Sequence, residues 1–265
     1  MPQFDGIILG TGHNSLILHA YLARCGLRIL SLDRNPTPGG GLRTEQLPDS
    51  PGFLHNTHSF FHRAVTAMPW YGDLQLASHG ATYLEPDLNV AMALSNGASL
   101  QWWTDLDRTI QSIAAFSPND AAAIRFWAEE FHPIVQNILI PEAQSPPLPP
   151  DLRHALLSRS SLGRRLLEVQ QLSPLQFVQR EFQHDAVRAG LLFFNGLREV
   201  DLRLPGFGHT IPALLASRHK AQMCLGGSAN LAHALIADIH AHGGSIRNGV
   251  TLSAIEKCRA GIGKA

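Results

Sequence analysis

The stretch that decides the fold is Phe4-Asp5-Gly6-Ile7-Ile8-Leu9-Gly10-Thr11-Gly12-His13-Asn14-Ser15, followed by a second apolar run, Leu27-Arg28-Ile29-Leu30-Ser31-Leu32, that ends on Asp33. An apolar run, a glycine turn, a helical segment, a second apolar run and a terminal carboxylate, in that order, outline a β-α-β unit that holds a dinucleotide. Gly10 lets the chain turn off the first strand, and Gly12 leaves no side chain between the backbone and a pyrophosphate. The helix that follows aims its free N–H groups and positive dipole end at the anion. Leu16, His19, Ala20 and Ala23 recur at helical spacing, and Gly26 stands as the stop. The second run reads as a strand buried on both faces, as a parallel sheet requires. Asp33, placed 23 residues after Gly10, can accept hydrogen bonds from a ribose and would repel a 2′-phosphate. Thr11, His13 and Asn14 belong to the same loop, where His13 and Asn14 are expected to hydrogen-bond cofactor or backbone rather than to catalyse. Ser15 stands where the third glycine is usual; it keeps the helix close to the strand, though not as close as glycine would.

A second glycine cluster follows in Arg34-Asn35-Pro36-Thr37-Pro38-Gly39-Gly40-Gly41-Leu42-Arg43-Thr44-Glu45. A nicotinamide-binding unit has no use for it, because one helix N-terminus already covers the pyrophosphate. An extended flavin dinucleotide can use further backbone N–H groups and a guanidinium beside its phosphates and ribityl chain. The run G-T-G-H-N-S, D-R, G-G-G-L-R-T-E resembles the flavin-binding start of the phytoene desaturase and carotenoid oxidoreductase group, within the amine-oxidase-like FAD superfamily. The resemblance implies a Rossmann-like α/β FAD/NAD(P)-binding domain with an inserted mixed α+β substrate domain, and FAD as cofactor. It carries cofactor contacts onto Gly10, Thr11, Gly12, His13, Asn14, Ser15, Asp33, Arg34, Gly40, Gly41, Leu42 and Arg43.

Far downstream, Leu225-Gly226-Gly227-Ser228-Ala229-Asn230-Leu231 precedes a helix reaching about His242, after which Gly243-Gly244-Ser245-Ile246-Arg247 is expected to open a strand running through Val250 and Leu252 to Ile255. In the resembled group such a helix returns the chain to the flavin sheet, and an apolar residue on the next strand meets the adenine. By motif position that residue is Leu252, with Val250 the alternative. The expected division is therefore 1–75 as the first part of the FAD-binding domain, 76–221 as the inserted substrate domain, and 222–265 as the returning part. The resembled group consists of considerably longer chains, so the flavin site is expected to be completed elsewhere, with this chain truncated or one part of a split enzyme joined by a second polypeptide.

The insert should hold a β-hairpin over residues 89–103 with Asn96-Gly97 at its turn. A helix is expected from Ser117-Pro118, carrying Ile124, Trp127, Phe131 and Ile134 on one face. Pro141 to Asp151, with five prolines in eleven residues, reads as an extended connector or mobile lid, and helices resume from Leu152 to Gly196. The apolar insert suits a hydrophobic substrate, while aromatics at helical spacing are read as core first.

Composition is 45% hydrophobic and 16% charged, ordinary for a globular protein, and Lys plus Arg equals Asp plus Glu at 21 each. No electrostatic case for nucleic acid follows, and no apolar run is long enough for a transmembrane helix. Relatives in the resembled group reach lipid-soluble substrates from a bilayer surface, so peripheral membrane contact stays open. Cys25, Cys224 and Cys258 form no metal spacing and no even disulfide set, which fits a reducing cytoplasm; Cys25 is expected in the core. Among 14 histidines, His55, His58 and His62 are spaced by three and four residues. On an extended segment they do not converge, and no carboxylate or cysteine joins them, so no metal is expected. No nucleophile-base set is legible, as befits a flavin enzyme, where the isoalloxazine takes the hydride and the protein positions the reactants. Three functions emerge: an FAD-dependent oxidoreductase acting on an apolar substrate, a non-catalytic subunit binding the ADP moiety within a heteromer, and a nicotinamide-dependent reductase.

Overall fold

The computed structural model describes residues 3–196, 201–217 and 221–255. In chain order the elements are β1 (Gly6–Leu9), α1 (His13–Arg24), β2 (Ile29–Leu32), β3 (Thr44–Gln46), β4 (Leu54–Asn56), α2 (Pro69–Asp73), β5 (Tyr83–Leu84), β6 (Leu88–Ala93), β7 (Ser99–Trp103), α3 (Leu106–Ala114) and α4 (Pro118–Ile134). They continue through α5 (Ile140–Ala143), α6 (Pro150–Leu157), α7 (Ser161–Gln170), α8 (Pro174–Glu181), α9 (Asp185–Gly196), α10 (Thr210–Ala216), β8 (Met223–Cys224), α11 (Ala229–Ala241) and β9 (Ser245–Arg247). The chain divides into two compact units, Met1–Pro86 with Ala221–Ala265, and Asp87–Lys220.

The first unit is a Rossmann-like α/β unit around a parallel sheet of order β1-β2-β9. Leu16, His19, Ala20 and Ala23 form the buried face of α1. Leu16 and Ala20 pack with Leu231, Leu235 and Ile239 of α11 in a core that also holds Leu42, Leu74 and Leu76. At the end of α1, Gly26 N–H donates to Ala23 O and Leu27 N–H to Leu22 O, the paired closure that a glycine just past a helix permits. That closure uses Leu27, so β2 begins at Ile29 rather than at Leu27. Cys25 is a correction to the sequence reading: it caps α1 and is exposed, because it lies two residues past Ala23 and off the buried stripe. Cys258 lies outside the described residues.

The boundary falls at Pro86/Asp87 rather than near residue 75. Leu76 and Ala81 belong to the core of the first unit, and Tyr83–Leu84 pair with Met223–Cys224, so residues 76–86 fold with the dinucleotide unit. The returning strand is also corrected. Pairing with β2 lasts only through Ser245–Arg247, because β2 ends at Leu32. Beyond it Gly249 N–H donates to Asn35 O and Val250 N–H to Asp33 O, and Val250–Leu252 wraps over the end of β2 as non-strand chain.

The second unit opens with the expected hairpin, Ala93 facing Ser99 across a loop containing Asn96-Gly97. In α4 the Ser117 hydroxyl accepts from Asp120 N–H and Pro118 takes the first position, the arrangement its sequence calls for. Ile124, Trp127, Phe131 and Ile134 all enter the core, with the Trp127 and Phe177 rings 4.9 Å apart edge to face. The proline-rich stretch is only partly extended: Pro150 starts α6, which a proline with its fixed φ favours, and Pro141 is the second residue of α5, which continues the helical run of α4 through a π turn at Val135–Leu139.

Candidate dinucleotide site

The two glycine clusters dock on each other. Gly39 N–H donates to Thr11 O at 3.0 Å, Gly12 and Gly39 form an isolated parallel bridge, and Leu42 N–H closes the second turn on Gly39 O. Gly40 has φ of +59°, and a side-chain carbon there would lie 2.9 Å from Gly12 Cα. Only glycine meets both the backbone conformation and the approach. A side-chain carbon on Gly12, by contrast, would meet nothing within 4 Å, so the space above the turn is open.

α1 starts on that turn without a side-chain cap and without an acidic residue in its first turn. Its leading N–H groups and positive end are therefore free for an anion. Thr11 is fully buried and tied to the end of β2: its N–H donates to Asp33 Oδ2 at 2.8 Å and its hydroxyl to the same oxygen at 2.5 Å. Asp33 Oδ1 accepts from Asn35 N–H at 2.8 Å. Burial pushes the Asp33 carboxyl up, but the bonds from Thr11 and Asn35 outweigh it and hold the group below the ordinary carboxylate range. Asp33 thus keeps a full charge and fixes the turn it faces.

Two cavities flank the turn. The first, about 340 Å3, is lined by Gly10, Asp33, Arg34, Val250 and Leu252, among others. The second, about 470 Å3, is lined by His13, Asn14, Gly41 and Leu42 together with Phe61, His62 and Trp70, among others. The residues read from the sequence are thereby sorted. Gly10, Asp33, Arg34 and Leu252 face one cavity, His13, Asn14, Gly41 and Leu42 the other, and Thr11, Gly12, Ser15 and Gly40 form or abut the turn between them. Val250 and Leu252 both line the first cavity, so the two alternatives share one site. Arg43 lines neither; it is exposed and paired with Glu45.

Sequence reading missed the floor of the second cavity and the clasp behind it. His62 is buried and its Nδ1 lies 2.8 Å from the Tyr83 hydroxyl; burial pushes its pKa down. His58 turns to the Thr57 hydroxyl instead. The downstream Gly226-Gly227 block docks on the first hairpin: Thr44 Oγ1 accepts from Ala229 N–H, and Asn56 Oδ1 from Ser228 N–H. Gly227 has φ of +105°, and any side-chain carbon would run into Thr44. A Gly-Gly helix start and a Thr after G-G-x-x-R both stand in the sequence, but nothing there said that the two touch.

Residues 8–70 match the NAD(P)-binding Rossmann-like domain. The fold is that of a dinucleotide-binding α/β protein. Among curated proteins the chain is 30% identical over 236 residues to a limonene dehydrogenase subunit from Castellaniella defragrans, covering 89% of this chain and 42% of that one. It is 30% identical over 181 residues to the rat pyridine nucleotide-disulfide oxidoreductase domain-containing protein 2, covering 66% of this chain and 30% of that one. The chain therefore spans less than half the length of these curated relatives. Among solved structures, cyclohexylamine oxidase from Brevibacterium oxydans superposes with a TM-score of 0.58 at 15% identity, covering 92% of this chain and 51% of that one; it shares the fold. Among the described residues, no helix is long and apolar enough to cross a membrane, and no group of three or more His, Cys, Asp or Glu side chains could hold a metal.

Proposed function

We propose that this chain is the cofactor-gripping part of an FAD-dependent oxidoreductase of the phytoene-desaturase type that oxidises an apolar substrate. The observation that carries the reading is the pair of cavities on either side of one uncapped glycine turn, which suits a cofactor with two halves and a pyrophosphate between them. The open space over Gly12 fits the phosphates. Asp33, Arg34 and Leu252 hold the adenosine half, α1 and the docked Gly39–Gly41 turn hold the pyrophosphate, and His13, Asn14, Gly41 and Leu42 face the flavin half. Bound flavin supplies hydride acceptance. The protein's own groups orient the cofactor: Thr11 locks Asp33 towards the ribose, and the neutral His62 and the Trp70 ring bound the far cavity. The limonene dehydrogenase relative, whose name gives a compact hydrocarbon as its substrate, supports an apolar substrate here.

The test is the visible spectrum of the purified chain. A flavin absorbance, or its appearance on adding FAD, agrees with the proposal; a colourless chain that takes up NADH stoichiometrically and ignores FAD refutes it.

A second reading has its own observation. Among the described residues β1 has β2 on one side and no strand on the other, and Ile7 and Leu9 are 49% and 52% exposed. Parallel sheets are normally covered on both faces. That open strand favours a protein that binds the ADP moiety and is completed by a second polypeptide, and the limonene dehydrogenase relative is itself named as one subunit of its enzyme. A chain that binds ADP but holds flavin only in the presence of a co-purifying polypeptide is the expected outcome under this reading. A flavin-loaded, active single chain rules it out.

A further inference from the structure

The second unit contains a cavity whose wall, among the described residues, is predominantly apolar. It lies between the β6–β7 hairpin and α9, measures about 320 Å3, and is bounded chiefly by Met92, Leu100 and Trp102 on the hairpin and by Ala189, Gly190 and Phe193 on the helix. Leu100 and Trp102 are rooted in the core of the unit, while Phe193 is 56% exposed and supplies the rim. With so little polar lining, such a space does not retain water well, and an apolar guest is its natural occupant.

Gly190 supports the same conclusion from a different direction. A glycine inside a helix costs about 1 kcal/mol relative to alanine, and close packing usually explains one. Here, among the described residues, it does not: a side-chain carbon at Gly190 would meet Leu100 Cδ2 at 3.6 Å, an ordinary contact. The backbone needs no glycine for space at that carbon, and its absence of side chain keeps the cavity open.

The volume limits the guest. An apolar cavity of about 150 Å3 accepts benzene, so a space about twice as large admits a guest of about ten to twelve carbons and no long polyene. We propose that this cavity is a binding site for a compact apolar hydrocarbon. As the substrate class of the oxidoreductase this deepens the function proposed above and rests on it; as a binding site it stands independently of the cofactor.

The experiment titrates the intact chain with the bicyclic hydrocarbon decalin, following the melting temperature and tryptophan emission, with squalene as the long-chain comparison. The expected result is a saturable rise in melting temperature with a change in emission, and no saturable response to squalene. Gly190→Leu and Ala189→Leu each fill the cavity from the helix side and should weaken decalin binding by about tenfold or more. Gly190→Leu raises helix propensity and Ala189→Leu lowers it only slightly, circular dichroism checks that they fold, and either one alone suffices for the comparison. Absence of a saturable response in the unaltered chain, an unchanged affinity in a folded filled variant, or equal binding of squalene overturns the proposal. The visible spectrum keeps the two readings apart. A colourless chain that binds decalin leaves the cavity and removes the flavin, whereas a yellow chain indifferent to decalin does the reverse.

Discussion

Replacing Asp33 with alanine removes the acceptor for three donors: Thr11 N–H, the Thr11 hydroxyl and Asn35 N–H. Asn35 is exposed and its N–H can turn to water, but Thr11 is fully buried. A buried donor left without a partner costs about 1–3 kcal/mol, and the hydroxyl can rotate towards another acceptor, so the loss should be about 2–4 kcal/mol. At roughly 2–4 °C per kcal/mol for a chain of this size, the melting temperature should fall by roughly 5–15 °C. Asp33→Asn, which retains one acceptor oxygen, should lie between. The same carboxylate is the proposed ribose partner, so ADP titrated calorimetrically into folded Asp33→Ala at low temperature should bind about tenfold or more weakly. The sign of the pH effect follows from the lowered pKa. The contribution of Asp33 is complete above the unfolded carboxylate value and is lost as pH falls through the lower folded value. A melting temperature within about 2 °C of the unaltered chain would refute the clamp. Unchanged ADP affinity would remove Asp33 from the ribose site while leaving the clamp intact.

Gly40→Ala sets a side-chain carbon against Gly12 Cα in a left-handed conformation, so undocking of the two glycine turns should cost about 1–3 kcal/mol and most of the retained cofactor; thermal melts and the flavin-to-protein absorbance ratio check both. His19 and His62 have pKa values pushed down by burial. Their neutral forms support the fold above the unfolded value of about 6.5 and the support fades as pH drops through the lower folded values. Urea midpoints should therefore decline between pH 7.5 and 5.5, with part of that decline absent in His19→Gln; a flat profile contradicts it. In a Cys258→Ser chain, an aromatic disulfide reagent should label exposed Cys25 quickly and buried Cys224, whose thiol burial pushes up, only slowly. Equal rates would contradict the assignment.

The local elements were legible because their signals are local. The buried stripe of α1, the stop at Gly26, the cap at Ser117 and the turn at Asn96-Gly97 each depend on residues within a few positions of one another, where sterics and hydrogen-bond valence decide. The two glycine clusters and Asp33 were legible as a dinucleotide motif for the same reason. Where the structure differs, long-range pairing made the decision. Residues 76–86 join the first unit because Tyr83–Leu84 find Met223–Cys224, and the last strand stops at Arg247 because β2 has no more residues to pair.

From the sequence alone came a β-α-β unit with a flexible-backbone turn, an acidic strand end and a separate mixed α+β insert. Tertiary structure alone decided that Gly40 closes on Gly12, that Gly227 rests on Thr44, that Asp33 is spent partly on Thr11, and that a glycine in α9 leaves an apolar cavity behind Trp102. The physical reason is the same in each case. Glycine marks where a side chain is missing, but only the packed neighbour shows whether that space is a close approach or a room.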